Sequence, residues 1–207
     1  MGYPKKLTLE PGMKFCSTSV GTDGGVFESA LARLIIWGQV SHSKDKKAEY
    51  THVGHIENSD GATWEARLYY GEYHIDDYIG SKVLIGISRD MTPEAYKKGM
   101  THQYRRFPFK RTLYGLNGKL YPIVSLVLMV FKWLSALRGF SGKPVCSEAA
   151  FINEMFAGRP DIKEMINTYK NRTPDDMADA IKNWRVFEVV YEGIWPGMEH
   201  IRHLNSY

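Results

Sequence analysis

The chain has no apolar run long enough to cross a bilayer. Its longest, Ile123 to Phe131, carries Ser125 and is closed by Lys132, well short of the roughly 20 residues that a spanning helix needs, so it reads as a buried helix. The first eleven residues contain Lys5 and Lys6 with no apolar segment behind them. A secretory leader is therefore not expected there, and the expectation is a cytoplasmic protein. Cysteine is scarce. Cys16 and Cys146 are the only two in 207 residues, too few for a disulfide framework, so at least one free thiol is expected. A strong charge of either sign is also lacking. Lys and Arg number 27 against 23 Asp and Glu, a net +4, which suits an anionic partner such as a membrane surface, a cell-wall polymer or nucleic acid without choosing among them. Repeats and low-complexity tracts are absent. The 43% hydrophobic and 24% charged fractions are those of an ordinary globular chain, and the length suits one domain over residues 1–207.

What is present is a mixture of strand and helix patterns. Met13 to Thr18 reads as a short strand and Val26 to Trp37 as a helix with Phe27, Leu31, Leu34 and Ile35 at helical spacing. Ser41 to Glu49 is a charged loop. Tyr50 to Glu57 and Ala62 to Leu68 are separated by Asn58-Ser59-Asp60-Gly61, a cluster of turn formers that predicts a hairpin. Lys82 to Ser88 is a further strand. Thr92 followed by Pro93 starts a helix that ends near Arg105. Arg106 to Lys119 is a basic, aromatic loop ahead of the apolar helix from Pro122 to Leu137. A helix follows Pro144 and stops at Gly158, two more span Asp161 to Lys170 and Pro174 to Asn183, and Val186 to Tyr191 closes the pattern as a strand. The expected class is α+β.

Two features carry chemistry. Cys146 falls at a helix N-terminus, whose positive end lowers a thiol pKa, as does a neighbouring imidazolium; the plainer reading of the same position is a small buried residue. In a regular hairpin, residues whose numbers sum to 119 lie opposite one another, which pairs Gly54 with Glu65 and His52 with Arg67. His52, Gly54, Glu65 and Arg67 then share a face, with Glu65 diagonal to His52 at a Cβ separation of roughly 7–8 Å and room left between them by Gly54. A carboxylate there accepts from one ring nitrogen and leaves the other to face a thiolate, the base-and-orienter part of a triad. The plainer reading is a polar cross-strand pair.

Tyr50-Thr51-His52-Val53-Gly54, Trp64-Glu65-Ala66, Val145-Cys146-Ser147-Glu148 and Thr173-Pro174-Asp175-Asp176, in this order, resemble the permuted papain-like amidases of the YiiX and YaeF group, circularly permuted relatives of NlpC-type peptidases. The resemblance runs from about Pro11 to Ala180. It implies a permuted papain-like fold, an antiparallel sheet packed against the nucleophile-bearing helix with extra helices. It also implies an acyl-enzyme mechanism on an amide, ester or thioester without metal or cofactor, with Cys146 as nucleophile, His52 as base and Glu65 as orienter. The backbone amide of Cys146 is the natural first oxyanion donor. Tyr50, Tyr121 and Ser147 are the candidates for further oxyanion or substrate-binding positions. The chain departs from the family pattern where Pro122 and Ile123 follow Tyr121 without a second tyrosine, at His55 in place of an aliphatic residue, and at Arg67, which competes for Glu65.

The remaining signals are weaker. His52 and His55 point to opposite faces of a strand, so a shared metal ion is not expected. His200 and His203 read as surface residues and Cys16 as buried. Tyr104-Arg105-Arg106-Phe107-Pro108-Phe109-Lys110-Arg111 interleaves cations with aromatics, a pattern that engages phosphates or lipid headgroups; it reads as a solvated loop that would select an anionic substrate if it borders the groove, and nucleic acid is not the expected partner. The leading expectation is a cysteine amidase or peptidase acting on a cell-wall peptide or similar amide. The alternatives are a lipid acyl hydrolase or acyltransferase of the same fold, and a papain-like domain without turnover that serves as a binding or structural module, for instance in a phage particle.

Overall fold

A computed structural model describes residues 6–19, 33, 36–37, 40, 48–66, 70–106, 146–156, 161–168 and 173–206. Most of the helix expected from Val26 to Trp37, the charged loop except for its last two residues, the basic stretch beyond Arg106, the apolar helix from Pro122 to Leu137 and the stop at Gly158 lie outside the described residues.

Within them the protein is α+β. Strands β1 (Lys14–Ser17), β2 (His52–Ile56), β3 (Ala62–Ala66), β4 (Tyr70–His74), β5 (Lys82–Ser88) and β6 (Phe187–Ile194) form one antiparallel sheet in the order β4-β3-β2-β1-β5-β6. The helices are α1 (Pro93–Arg106), α2 (Cys146–Met155), α3 (Ile162–Thr168), α4 (Pro174–Asn183) and α5 (Met198–Leu204), with a 3-10 turn at Ile75–Tyr78. Strand β4, the 3-10 turn and helix α5 are additions to the sequence-based elements.

Local chemistry explains several boundaries. Between β2 and β3 the Asn58 carboxamide oxygen accepts from the amides of Asp60 and Ala62 at 3.0 and 3.1 Å, and Gly61 takes a φ of +97° that a residue with a Cβ rarely adopts. Helix α4 opens on a capping box. Thr173 accepts from the Asp176 amide and Asp176 accepts from the Thr173 amide, both at 3.0 Å. Thr92 caps α1 through the Ala95 amide at 3.1 Å.

Because strand side chains alternate, the sheet has two distinct faces. On one, Phe15, Ile56, Val83 and Ile85 pack with Leu9, Tyr78, Trp195 and the α5 residues Met198 and Ile201. On the other, Cys16, Val53 and Leu84 pack with Ala150 and Phe151 of α2 and Met177 and Ile181 of α4, while Trp64 meets Met91 and the α1 residues Tyr96 and Met100. Cys16 is completely buried, as its apolar neighbours predict.

The second face also encloses charge. Lys14 of β1 and Glu154 of α2 are both fully buried and form an ion pair, and the Lys14 ammonium donates to the Gly12 carbonyl at 3.1 Å. Leaving either partner alone would strand a desolvated charge, so the pair ties α2 to β1. His55 lies directly across from Lys14 in the β1–β2 register. Its two ring nitrogens are buried and have no hydrogen-bond partner among the described residues.

Burial first, and the Lys14 charge second, lower the His55 imidazole from 6.5 to about 3, with Glu65 acting in the opposite direction. Between those values the unfolded chain binds a proton that the folded one does not. The stability contributed by neutral His55 is therefore complete above the unfolded value and is lost as pH falls toward the folded one. Lowering the pH from 7 to 5 should cost about 2 kcal/mol through this site alone. Urea-unfolding free energies of the wild type and His55→Leu at the two pH values check this, and equal losses in both proteins would overturn it.

Candidate active site

The hairpin register decides which side chains meet. Gly54 lies opposite Glu65, His55 opposite Trp64 and Ile56 opposite Thr63, the pairing that the four-residue turn predicts. Glu65 is consequently diagonal to His52, and the two are bonded: His52 Nε2 is 2.8 Å from Glu65 Oε2. Both residues are buried, at 3% and 1% exposure. With Nε2 as the donor to the carboxylate, the neutral imidazole is the Nε2–H tautomer, and Nδ1 is its basic nitrogen.

Gly54 makes this approach possible. A Cβ at position 54 would stand 2.4 and 2.6 Å from two carbons of the Phe15 ring and 2.7 Å from Glu65 Cγ. The space that glycine leaves is filled by the Glu65 side chain and by the Phe15 ring.

Two further donors converge on Glu65. Thr63, two residues earlier on the same face of β3, donates its hydroxyl to Oε1, and Tyr78 donates to Oε2 at 2.5 Å. Three donors on one buried carboxylate suit an ionised, acceptor-only group. The His52 ring also stacks on Tyr78 at 5.9 Å and 18°, and Phe15 meets both rings in tilted or edge contacts at 6.4 and 5.1 Å. The alternation of strand positions makes Thr63 legible as a neighbour of Glu65. Tyr78 has no such signal, because it arrives from the 3-10 turn after β4.

Cys146 is the first residue of α2, as expected from Pro144 and the apolar periodicity that follows. The direction of α2 comes from its partners: Glu154 pairs with Lys14, and Ala150, one turn earlier, clusters with Cys16 and Val53. One turn of helix and two strand residues both advance by about 6 Å. A further turn toward the helix start thus reaches the end of the sheet where Ser17 pairs with His52. The helix and the His52–Glu65 pair nevertheless occupy opposite faces: α2 covers Val53, whereas His52 and Gly54 project toward Phe15 and Tyr78. The side chains of Cys146 and Ser147, together with all of Tyr121 and Arg67, lie outside the described residues.

Tyr50 is not brought to the pair. Its ring joins the cluster of Cys16 and Leu84, and its hydroxyl donates to Glu192 Oε1 at 3.2 Å. The Lys82 and Lys182 ammoniums lie 5.9 and 5.4 Å from its ring centre. Burial, then the Glu192 and Glu49 charges, raise the phenol far above its ordinary value. The physical reason is that β2 begins at His52, and Tyr50 precedes the alternation that would have set it beside His52.

The second histidine of the motif, His55, faces away from His52 as alternation requires. Among the described residues no three His, Cys, Asp or Glu side chains converge as metal ligands, and no helix is long and apolar enough to cross a membrane.

The close packing around Gly54 generates a prediction. Gly54→Ala should lose about 1–3 kcal/mol of stability through overpacking and displace Glu65 from His52. Chemical denaturation measures the first effect and imidazole NMR the second; an unchanged His52 spectrum would show that the gap is not needed. Comparison of the chain with protein-family models, with curated proteins and with solved structures finds no match.

Proposed function

We propose that the protein is a cysteine hydrolase of permuted papain-like architecture, with Cys146 as nucleophile, His52 as base and Glu65 as orienter. The observation that carries this reading is the buried Glu65 carboxylate bonded to His52 Nε2. A carboxylate bound to one imidazole nitrogen holds the ring in a single tautomer and stabilises the imidazolium that forms when the other nitrogen takes a proton. A surface pair has no need of three donors, a close-packed glycine and an aromatic stack.

In the proposed reaction the Cys146 thiol transfers its proton to His52 Nδ1, and the thiolate attacks the carbonyl carbon of an amide. The oxyanion is stabilised by the backbone amide at the start of α2. His52 returns the proton to the leaving amine as the carbon–nitrogen bond breaks, giving an acyl-enzyme. Water deprotonated by His52 then attacks the thioester, releasing the acid and restoring the thiol. A cell-wall peptide or similar amide is the substrate class. The apolar stretch that motivates a lipid substrate lies outside the described residues.

A second reading, a binding or structural module without turnover, is favoured by one observation: α2 and the His52 ring lie on opposite faces of the sheet. In that reading the Glu65 network holds the hairpin together and the thiol is ordinary.

Iodoacetamide alkylation of Cys146 against pH, followed by peptide mass spectrometry, separates the two. In the hydrolase Cys146 reacts well below the free-thiol value of about 8.5 and, near pH 6, at least tenfold faster than in His52→Ala. Completely buried Cys16 supplies a protected internal reference. Equal, ordinary profiles in both proteins would leave the module reading in place.

A further inference from the structure

Tyr78 touches both members of the buried pair in different ways. Its hydroxyl donates to the same carboxylate oxygen that His52 uses, Glu65 Oε2, at 2.5 Å. Its ring lies nearly parallel to the imidazole, 18° off with centroids 5.9 Å apart, and it is completely buried. One side chain therefore constrains the plane of the imidazole and the rotation of the carboxylate together. Thr63 holds the other oxygen, Oε1. Tyr78 and Thr63 between them leave Glu65 one orientation, in which Oε2 meets Nε2.

The turn that presents Tyr78 is itself clamped. Asp76 Oδ1 accepts from Trp195 Nε1 at 3.0 Å and from the Met198 amide at 2.8 Å. The Gly80 amide donates to the Trp195 carbonyl, and the Trp195 amide to the Ser81 carbonyl, both at 2.9 Å. The segment that leads into α5 thus pins the chain on both sides of Tyr78.

We propose that Tyr78 is the positioning residue of the site, selecting the His52 tautomer that presents Nδ1 to the thiol. Its importance for turnover rests on the hydrolase reading; its control of the tautomer does not. The hydroxyl acts by ordering Glu65, and the ring acts by stacking on the imidazole. Partners of this kind, one bond removed from the reacting groups, alter function when lost, commonly by tenfold or more.

The test compares Tyr78→Phe, which keeps the ring and removes the hydroxyl, with a variant carrying 3-fluorotyrosine at 78, whose more acidic phenol donates more strongly. The first readout is the pair of His52 ring nitrogen resonances in the neutral form, from long-range proton–nitrogen correlation. In the wild type these should show the Nε2–H tautomer as the major form in exchange with a minor Nδ1–H form. Tyr78→Phe should move them toward a mixture of tautomers, and fluorotyrosine should move them the opposite way. A purely structural tyrosine would lower stability and leave the nitrogen signature of the folded state unchanged. The second readout is Cys146 alkylation near pH 6, expected to fall about tenfold in Tyr78→Phe. Unchanged nitrogen resonances in both variants would overturn the proposal. Should Tyr78→Phe fail to fold, the fluorotyrosine protein decides the matter alone. An ordinary thiol profile in the wild type would sink the hydrolase reading, while the nitrogen resonances would still decide the role of Tyr78.

Discussion

The register of the β2–β3 hairpin is the constraint on which the site depends. Strand side chains alternate with a period of two, so a slip of one residue would carry Glu65 to the opposite face and leave His52 with Trp64 or Ala66 in its place. The turn prevents that slip. Asn58 binds two amides with one carboxamide oxygen, and Gly61 takes a backbone conformation closed to most residues. The chemistry of a four-residue loop thereby decides the partner of a buried histidine.

The sheet also divides two kinds of buried polar chemistry. On the Phe15 face, His52, Glu65, Thr63 and Tyr78 satisfy one another around a single carboxylate. On the α2 face, Lys14 and Glu154 form an ion pair beside His55, whose nitrogens find no partner among the described residues. The first arrangement is directional and orients one ring. The second is electrostatic and attaches the helix that begins with the proposed nucleophile to the strand beside β2. The first lies where β2 begins, at the Ser17–His52 end toward which the start of α2 is directed, and the second lies at the other end, where Lys14 pairs with His55. In the proposed hydrolase helix α2 and the imidazole belong to different faces, and the reaction takes place across the end of the sheet where β2 begins.

The C-terminal segment contributes to this arrangement from a distance. Trp195 and Met198 bind Asp76, and the turn they hold delivers Tyr78 under the imidazole. The side chain that completes the Glu65 network is thus secured by residues more than a hundred positions away, on the face that α5 covers.

Much of this was legible in the amino-acid sequence, because it follows from local rules. The period-two alternation and the Asn58–Gly61 turn specify the hairpin, its register and the diagonal placement of His52 and Glu65. Thr92-Pro93, Thr173-Pro174 and Pro144 mark the helix starts at which α1, α4 and α2 begin, and apolar neighbours account for the burial of Cys16. Other features depended on long-range packing that carries no local signal. Strand β4 and the 3-10 turn follow β3 without a distinctive pattern, so Tyr78 could not be matched to Glu65 before the chain was folded. Tyr50 stands next to the motif in sequence but is drawn to Glu192, which is 142 residues distant. The face on which α2 packs was likewise beyond the reach of sequence. Apolar periodicity shows that a helix has a buried side, whereas the choice between the two faces of a sheet is made by partners such as Lys14 and Glu154, which meet only in the folded protein.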